Sequence, residues 1–535
     1  MKKFSFLLAV LLALRVVAEA QTPAFSTRVL LIPLDDRPTS TQFTTRMGLI
    51  GNAEVVTPPR ELLGRFTTAG QSDQIIEWAR AQDLQSYDVV IVALDMLAYG
   101  GLVGSRMHRV SSEEALKRVE ALRELKQRMP RARLYAQNVV MRLAPTPGDK
   151  NEAYRVKLEH WAEISVAHDA KSKEETAALE REIPEEVLND YKMARRRNLL
   201  TNLKALELVQ EGVIDYLILS QDDAKPQGVH VADREKLIAE VHQKGLTQKV
   251  AVQPGADEVS MLLLARALTQ YHTYQPKIKA VFSSAQQAAQ TMPFEDRPLR
   301  QTVGYHIRAT GAQEVESEQE ADILFYVYTS RLEEGRSESF AREIENKIGQ
   351  GRQVIVADID PVGDVQGGDP QFMLALMKRN LFPRLNGFAS WNTAGNTIGT
   401  ALPHGVVFSL ATQKLLSRKE LASRIWSAQH WFLIHRVMDD YYFHTLVREK
   451  TNAYLDQRKR SSVIMSDEKT RQAQVYSQKQ MDTYFKDFTR QYLRTVNASR
   501  QIPVRCQIPS EMQFSLPWNR MFEADIHFDI TCKAL

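Results

Sequence analysis

Ten short apolar runs recur along this chain, and their repetition limits the fold more than any other feature. They are Val29–Leu34, Glu54–Thr57, Val89–Leu94, Leu134–Met141, Tyr216–Ser220, Val250–Gln253, Ile278–Ser283, Ile323–Tyr328, Val354–Asp358 and Gly387–Ser390. Most are continuous rather than alternating, which is the pattern of parallel strands covered on both faces. The stretches between them carry helical spacing, as at Leu116, Val119, Leu122 and Leu125. The expected class is therefore α/β with mostly parallel sheets. Ten strands are too many for one eight-stranded barrel.

Composition and punctuation divide the chain further. Residues 27–270 are expected to form an N-terminal α/β unit, barrel-like or doubly wound. A second, doubly wound unit is expected over 277–410, with polar Tyr271–Lys279 and its Pro276 between them. Residues 151–211 read as a helical insertion broken at Pro184, residues 411–500 as a polar helical region, and residues 501–535 as a β-rich tail. No internal repeat stands out. The likeness of Asp35-Asp36-Arg37-Pro38 to Glu295-Asp296-Arg297-Pro298 is short enough to read as chance.

Residues 1–20 carry an export signal: Lys2 and Lys3, an apolar core over residues 4–17, and Ala18-Glu19-Ala20 before Gln21. That core is too short for a permanent membrane helix. A periplasmic or secreted protein is expected, with no membrane association after cleavage. Removing the signal lowers the formal net charge from +4 to about +2, which gives no reason to invoke nucleic acid or anionic lipid. Arg195-Arg196-Arg197 reads as the solvated face of a helix. Cys506 and Cys532 are the only two cysteines. They fall on the inner positions of alternating strands, so an exported chain would join them in a disulfide; the alternative is two buried free thiols. A loop of about 25 residues closed this way would contribute roughly 3–4 kcal/mol in the chain-entropy model.

Chemistry-bearing residues collect where the strands end. Tyr216–Ser220 runs into Gln221-Asp222-Asp223, Val29–Leu34 into Asp35-Asp36-Arg37, Val89–Leu94 into Asp95 and then Tyr99, and Leu134–Met141 into Arg142. Further on, Gln253 precedes Asp257 and Glu258, Asp358 precedes Asp360, and Trp391 precedes Asn392 and Asn396. Parallel strands bring these ends to one edge, where α/β folds place their sites. Asp222 and Asp223 are the candidate catalytic pair; Asp358 and Asp360 are alternative metal ligands, and Asp35, Asp36, Arg37, Asp95, Tyr99, Arg142, Gln253, Asp257, Glu258, Trp391, Asn392 and Asn396 are candidates for substrate binding. Each has a structural alternative: Arg37 could tie its own loop through a bidentate carboxylate, Asp257 could cap a helix, and Trp391 could be core. Motifs for nucleotide, dinucleotide, zinc-protease and serine-hydrolase chemistry are missing. His430 and His435 lie in an aromatic helical stretch and are expected to pack. No cofactor is called for, although aspartates would suit a divalent cation.

The segments 32–38, 220–224, 254–258 and 390–396 (IPLDDRP, SQDDA, PGADE and SWNTAGN) resemble those of a bacterial family known only as domain of unknown function 4127, over residues 27–500. That resemblance implies no activity. A more local similarity, strand-Asp-Asp followed by a Trp/Asn loop, is to substrate-assisted β-N-acetylhexosaminidases. It implies that Asp222 orients the substrate, Asp223 protonates the leaving oxygen, and Trp391 and Asn392 enclose the sugar. The expected function is an exported glycoside hydrolase acting on a glycan or small molecule. The alternatives are a metal-assisted amide or phosphate hydrolase using Asp35, Asp36, Asp222, Asp358 and Asp360, and a non-catalytic glycan- or solute-binding protein.

Overall fold

The computed structural model describes residues 24–146, 152–363, 367–456 and 464–535. The expected export signal lies outside them. Strands β1 (Thr27–Ile32), β2 (Ala53–Val56), β3 (Val89–Ala93), β4 (Arg133–Val140), β5 (Tyr216–Gln221) and β6 (Val250–Pro254) form one sheet in the order β2-β1-β3-β4-β5-β6. Strands β7 (Lys277–Phe282), β8 (Gln313–Glu314), β9 (Ile323–Tyr328), β10 (Gln353–Asp358) and β11 (Gly387–Ala389) form the second, in the order β11-β10-β9-β7-β8. Every pairing in both sheets is parallel. All ten apolar runs became strands; β8, at two residues, is too short to leave a pattern.

Both sheets are open, so the doubly wound form is adopted rather than the barrel. Read from its β8 edge, the second sheet runs 8-7-9-10-11, the same winding as 2-1-3-4-5 in the first. Asp35-Asp36-Arg37-Pro38 and Glu295-Asp296-Arg297-Pro298 therefore occupy equivalent places, each between the first strand of a sheet and the next long helix. The likeness set aside as chance has a topological counterpart.

One core joins the two sheets. The helix Val259–Tyr271 packs against β3 and β4 on one side and against the helix Ala394–Leu410 on the other, which in turn covers β10 and β11. Both helices are buried almost all round, as expected of apolar helices between two layers. The opposite face of the first sheet is covered by an outer helical layer that includes Leu122, Leu206 and Leu237. The insertion folds as three helices, Arg155–Ile164, Ala170–Glu182 and Glu185–Gln210, the last beginning just after Pro184.

The region 411–500 departs from its polar reading. In the helix Lys419–Arg436, Ile425, Trp431, Phe432, Leu433 and Ile434 are buried, because aromatic and aliphatic residues there cover a wide face. The π-helix Val437–Val447 follows. Its charges are satisfied inside the core: Arg436 donates to Asp439 at 2.7 Å and to Asp440 at 2.8 Å. Asp440 in turn accepts from the Ser390 amide at 2.6 Å, beyond the end of β11. The tail forms two antiparallel pairs, β12 (Val504–Gln507) with β15 (Thr531–Ala534) and β13 (Gln513–Ser515) with β14 (Asp525–His527). Cys506 stands opposite Cys532, both buried, and they form the disulfide.

Candidate active site at the carboxyl ends of the strands

The loops leaving β1, β4, β5 and β6 meet loops of the second sheet and the tail around a cavity of about 610 Å³. Asp222 and Asp223 stand in its wall. Past Gln221 the chain leaves the ladder, with the Asp222 amide still donating to Val140 O at 3.3 Å. Asp222 Oδ1 accepts the Asp223 amide at 3.0 Å, which fixes the local turn between the two residues. Arg106 Nε and Nη2 both hold Asp222 Oδ2, the former at 3.0 Å. Arg142 Nη1 donates to Asp223 Oδ2 at 2.9 Å. Asp222 is buried, whereas the Asp223 side chain keeps 38% accessibility toward the cavity. Burial within the protein, then the negative Asp222, raise the Asp223 pKa, while Arg142 and Arg106 oppose the rise.

The adjacent acids Asp35 and Asp36 part company. Arg37 holds Asp35 Oδ2 through Nε at 3.0 Å and Nη2 at 2.7 Å, and it also binds both oxygens of Asp257, at 2.6 and 3.1 Å. Glu523, from the tail, joins them at 3.3 Å. Asp257 is thus an ion-pair partner and not a helix cap: the cap position of the following helix is Glu258, and its side chain makes no capping bond. Burial pushes the Asp257 pKa to about 6 against the pull of Arg37. Asp36 turns away from the cavity to accept from Trp518 Nε1 at 2.8 Å and from Arg60 at 3.5 Å.

Glu295 faces the same cavity from the second sheet's side and was not anticipated. It is 4% exposed, accepts the Gly395 amide at 2.7 Å, and burial pushes its pKa to about 8, with the charges of Glu258 and Asp223 adding to the rise. The Phe294 carbonyl beside it accepts from the Ala224 amide at 2.9 Å, which fastens this loop to the Asp222-Asp223 turn. Three lining residues, Phe66, Phe294 and Asn392, have positive φ angles of 49, 65 and 56°, a left-handed region that is uncommon for Phe and more readily adopted by Asn. Gly255, at φ 117°, holds a backbone conformation that L side chains rarely adopt, and a Cβ there would also meet the Glu258 carboxylate. Glu258 folds beneath this loop and accepts the Ala256 amide at 3.0 Å.

Of the expected residues, Arg37, Arg142, Asp222, Asp223, Asp257, Asn392 and Asn396 line the cavity. The remaining ones are not part of its wall. Asp95 is buried beneath, accepting from the Val139 amide at 2.9 Å, with burial pushing its pKa to about 7. Tyr99 lies under the Arg197 guanidinium, 4.2 Å from ring to cation. Gln253 and Glu258 are fully buried. Trp391 is core: its Nε1 donates to Thr400 at 3.0 Å and its ring meets Phe43 edge-on. Asp358 accepts the Asp369 amide at 2.8 Å, and Asp360 pairs with Arg331 at 3.1 Å.

The Arg195-Arg196-Arg197 run is also corrected. Only Arg196 is solvated; Arg195 and Arg197 are buried. Arg195 donates to the Arg142 carbonyl at 2.6 Å and to Asp233 at 2.7 Å. Arg197 donates to the carbonyls of Gly104, Ser105, Met107 and Val110 at 2.9–3.1 Å. These two arginines position the backbone that carries Arg142 and Arg106, and through them the two aspartates.

The aspartates considered as metal ligands are not gathered. Among the described residues, the group of His, Cys and carboxylate side chains close enough to share an ion is His430, Cys506 and Cys532, and the disulfide takes both sulfurs. His430 donates to or accepts from Tyr492 at 2.8 Å and is packed, as is His435.

No curated protein matches the sequence. The family model described as "Protein of unknown function (DUF4127)" matches residues 29–527, nearly the whole chain, and the protein belongs to that family.

Proposed function

We propose that the protein is an exported hydrolase acting on a glycosidic bond, with Glu295 as general acid and Asp223 as its carboxylate partner. One arrangement carries this reading: Glu295, whose pKa burial pushes to about 8, and the arginine-held Asp223 face one cavity. Glycoside hydrolysis needs that division of labour. Glu295 gives its proton to the leaving oxygen. As the glycosidic C–O bond breaks, a water attacks the sugar carbon and Asp223 takes the proton that water releases; Asp222, clamped by Arg106, orients Asp223 and the substrate. The donor role passes from Asp223 to Glu295 because Glu295 is the more deeply buried of the two, while Arg142 and Arg106 oppose the rise at Asp223. Phe66, Phe294, Trp518 and Phe522 offer apolar walls, and Asn392 and Asn396 offer amides, a mixture suited to a sugar ring. The aspartates considered for a metal-assisted route are committed to separate partners, so acid–base chemistry has the better support. Among the described residues no helix is long and apolar enough to cross a membrane.

The test is hydrolysis of a panel of aryl glycosides by the mature chain and its Glu295→Gln and Asp223→Asn variants. Activity that falls on the alkaline side through about pH 8 in the wild type, and drops about 10²–10⁴-fold in each variant, is expected. A wild type inactive on every glycoside would overturn the proposal, and tight sugar binding without turnover would replace it with a binding protein.

A further inference from the structure

A second cleft, of about 760 Å³, opens at the other edge of the first sheet. Its wall includes Arg133, Tyr216 and Val250, the first residues of β4, β5 and β6, whereas the candidate active site lies past the last residues of these strands. Arg266 and Arg308, from the helices Val259–Tyr271 and Leu299–Ala309, complete a trio of guanidinium groups. None of the lining residues is Asp or Glu.

The partners of these arginines are mostly neutral. Arg133 donates to Gln270 Oε1 at 3.0 Å. Arg266 lies 3.6 Å over the Tyr216 ring and donates to the Arg308 carbonyl at 2.9 Å, while its Nε is buried with no partner. Arg308 reaches one carboxylate, Glu314, at 3.6 Å on the surface. The end of the helix Val259–Tyr271 does not supply the missing negative charge, because the carbonyls of Leu268, Thr269 and Gln270 accept from the amides of His272, Tyr274 and Thr273. Arg133 and Arg266 thus have no carboxylate partner among the described residues; such cations in a concave site attract an anion, and a guanidinium fork matches a carboxylate or phosphate.

We propose that this cleft is a second binding site, for a small ligand bearing a carboxylate or phosphate group held by Arg133, Arg266 and Arg308. It is independent of the glycosidase proposal. Calorimetric titration of the full mature chain with inorganic phosphate, a sugar phosphate, glucuronate and glucose tests it and separates the sources of the anion. Binding of at least one anion and none of glucose is expected, weakening as salt rises. Arg133→Gln and Arg266→Gln should each weaken it about tenfold or more, whereas Arg266→Lys should retain part of it. Arg133 is solvent-exposed, so its variant stays informative if the Arg266 change impairs folding. Asp223→Asn should bind the anion as the wild type does. The proposal fails if no anion binds, if Arg133→Gln and Arg266→Gln bind unchanged, or if Asp223→Asn abolishes binding, which would place the anion in the other cavity.

Discussion

The two ends of the first sheet both present arginines, but they use them differently. At the carboxyl ends of the strands, Arg37, Arg106 and Arg142 are each bound to a carboxylate. Their charge is satisfied internally and serves to fix acids in place. At the amino ends, Arg133 and Arg266 are bound to neutral oxygens. The contrast shows that an arginine count alone does not mark an anion site; what each guanidinium already holds decides it.

The largest effect that separates the two ends is on turnover. Asp223→Asn is expected to lower glycoside hydrolysis about 10²–10⁴-fold, while Arg133→Gln leaves the rate unchanged. Comparable losses from both would break the division between the two sites. A somewhat smaller effect is on stability. Arg37→Met leaves Asp35, Asp257 and Glu523 in the interior without their shared cation, a loss of about 3–5 kcal/mol. The matching Arg133→Met change is expected to stay within about 0.5 kcal/mol, and denaturant titration of both variants measures the gap. Smaller again is Arg197→Met, which strips four backbone carbonyls of their donor and is expected to cost about 2–3 kcal/mol. Arg196→Met, one residue away and solvated, is expected to be neutral within about 0.5 kcal/mol. Equal losses at 196 and 197 would remove the positioning role given to the buried arginine.

The strands were legible because continuous apolar runs have few other folded uses, and Asp222 and Asp223 were legible because they end one of them. What lay beyond local pattern was partnership. Arg37 meets Glu523, 486 residues later in the chain, and no periodicity announces such a contact. Asp35 and Asp36 look alike in sequence yet point into different surroundings, since the chain has left the strand and its alternation no longer fixes direction. Arg195 and Arg197 looked solvated because they are charged, but in the interior Arg197 covers four backbone carbonyls and Arg195 bridges the Arg142 carbonyl and Asp233. Glu295 had one signal, its place in a second D/E-D-R-P segment after the first strand of a sheet, which only the shared winding of the two sheets makes meaningful.

The protonated state of Glu295 is the central claim, and it can be read without a substrate. Infrared titration of the wild type against Glu295→Gln isolates the carboxyl C=O band of this one side chain. A band present at pH 6–7 and lost as pH rises through about 8 is predicted, because burial disfavours the anion and the proton leaves only above the ordinary carboxylate range. A difference spectrum already showing the carboxylate at pH 6, with no carboxyl band, would contradict the assignment of Glu295 as the proton donor.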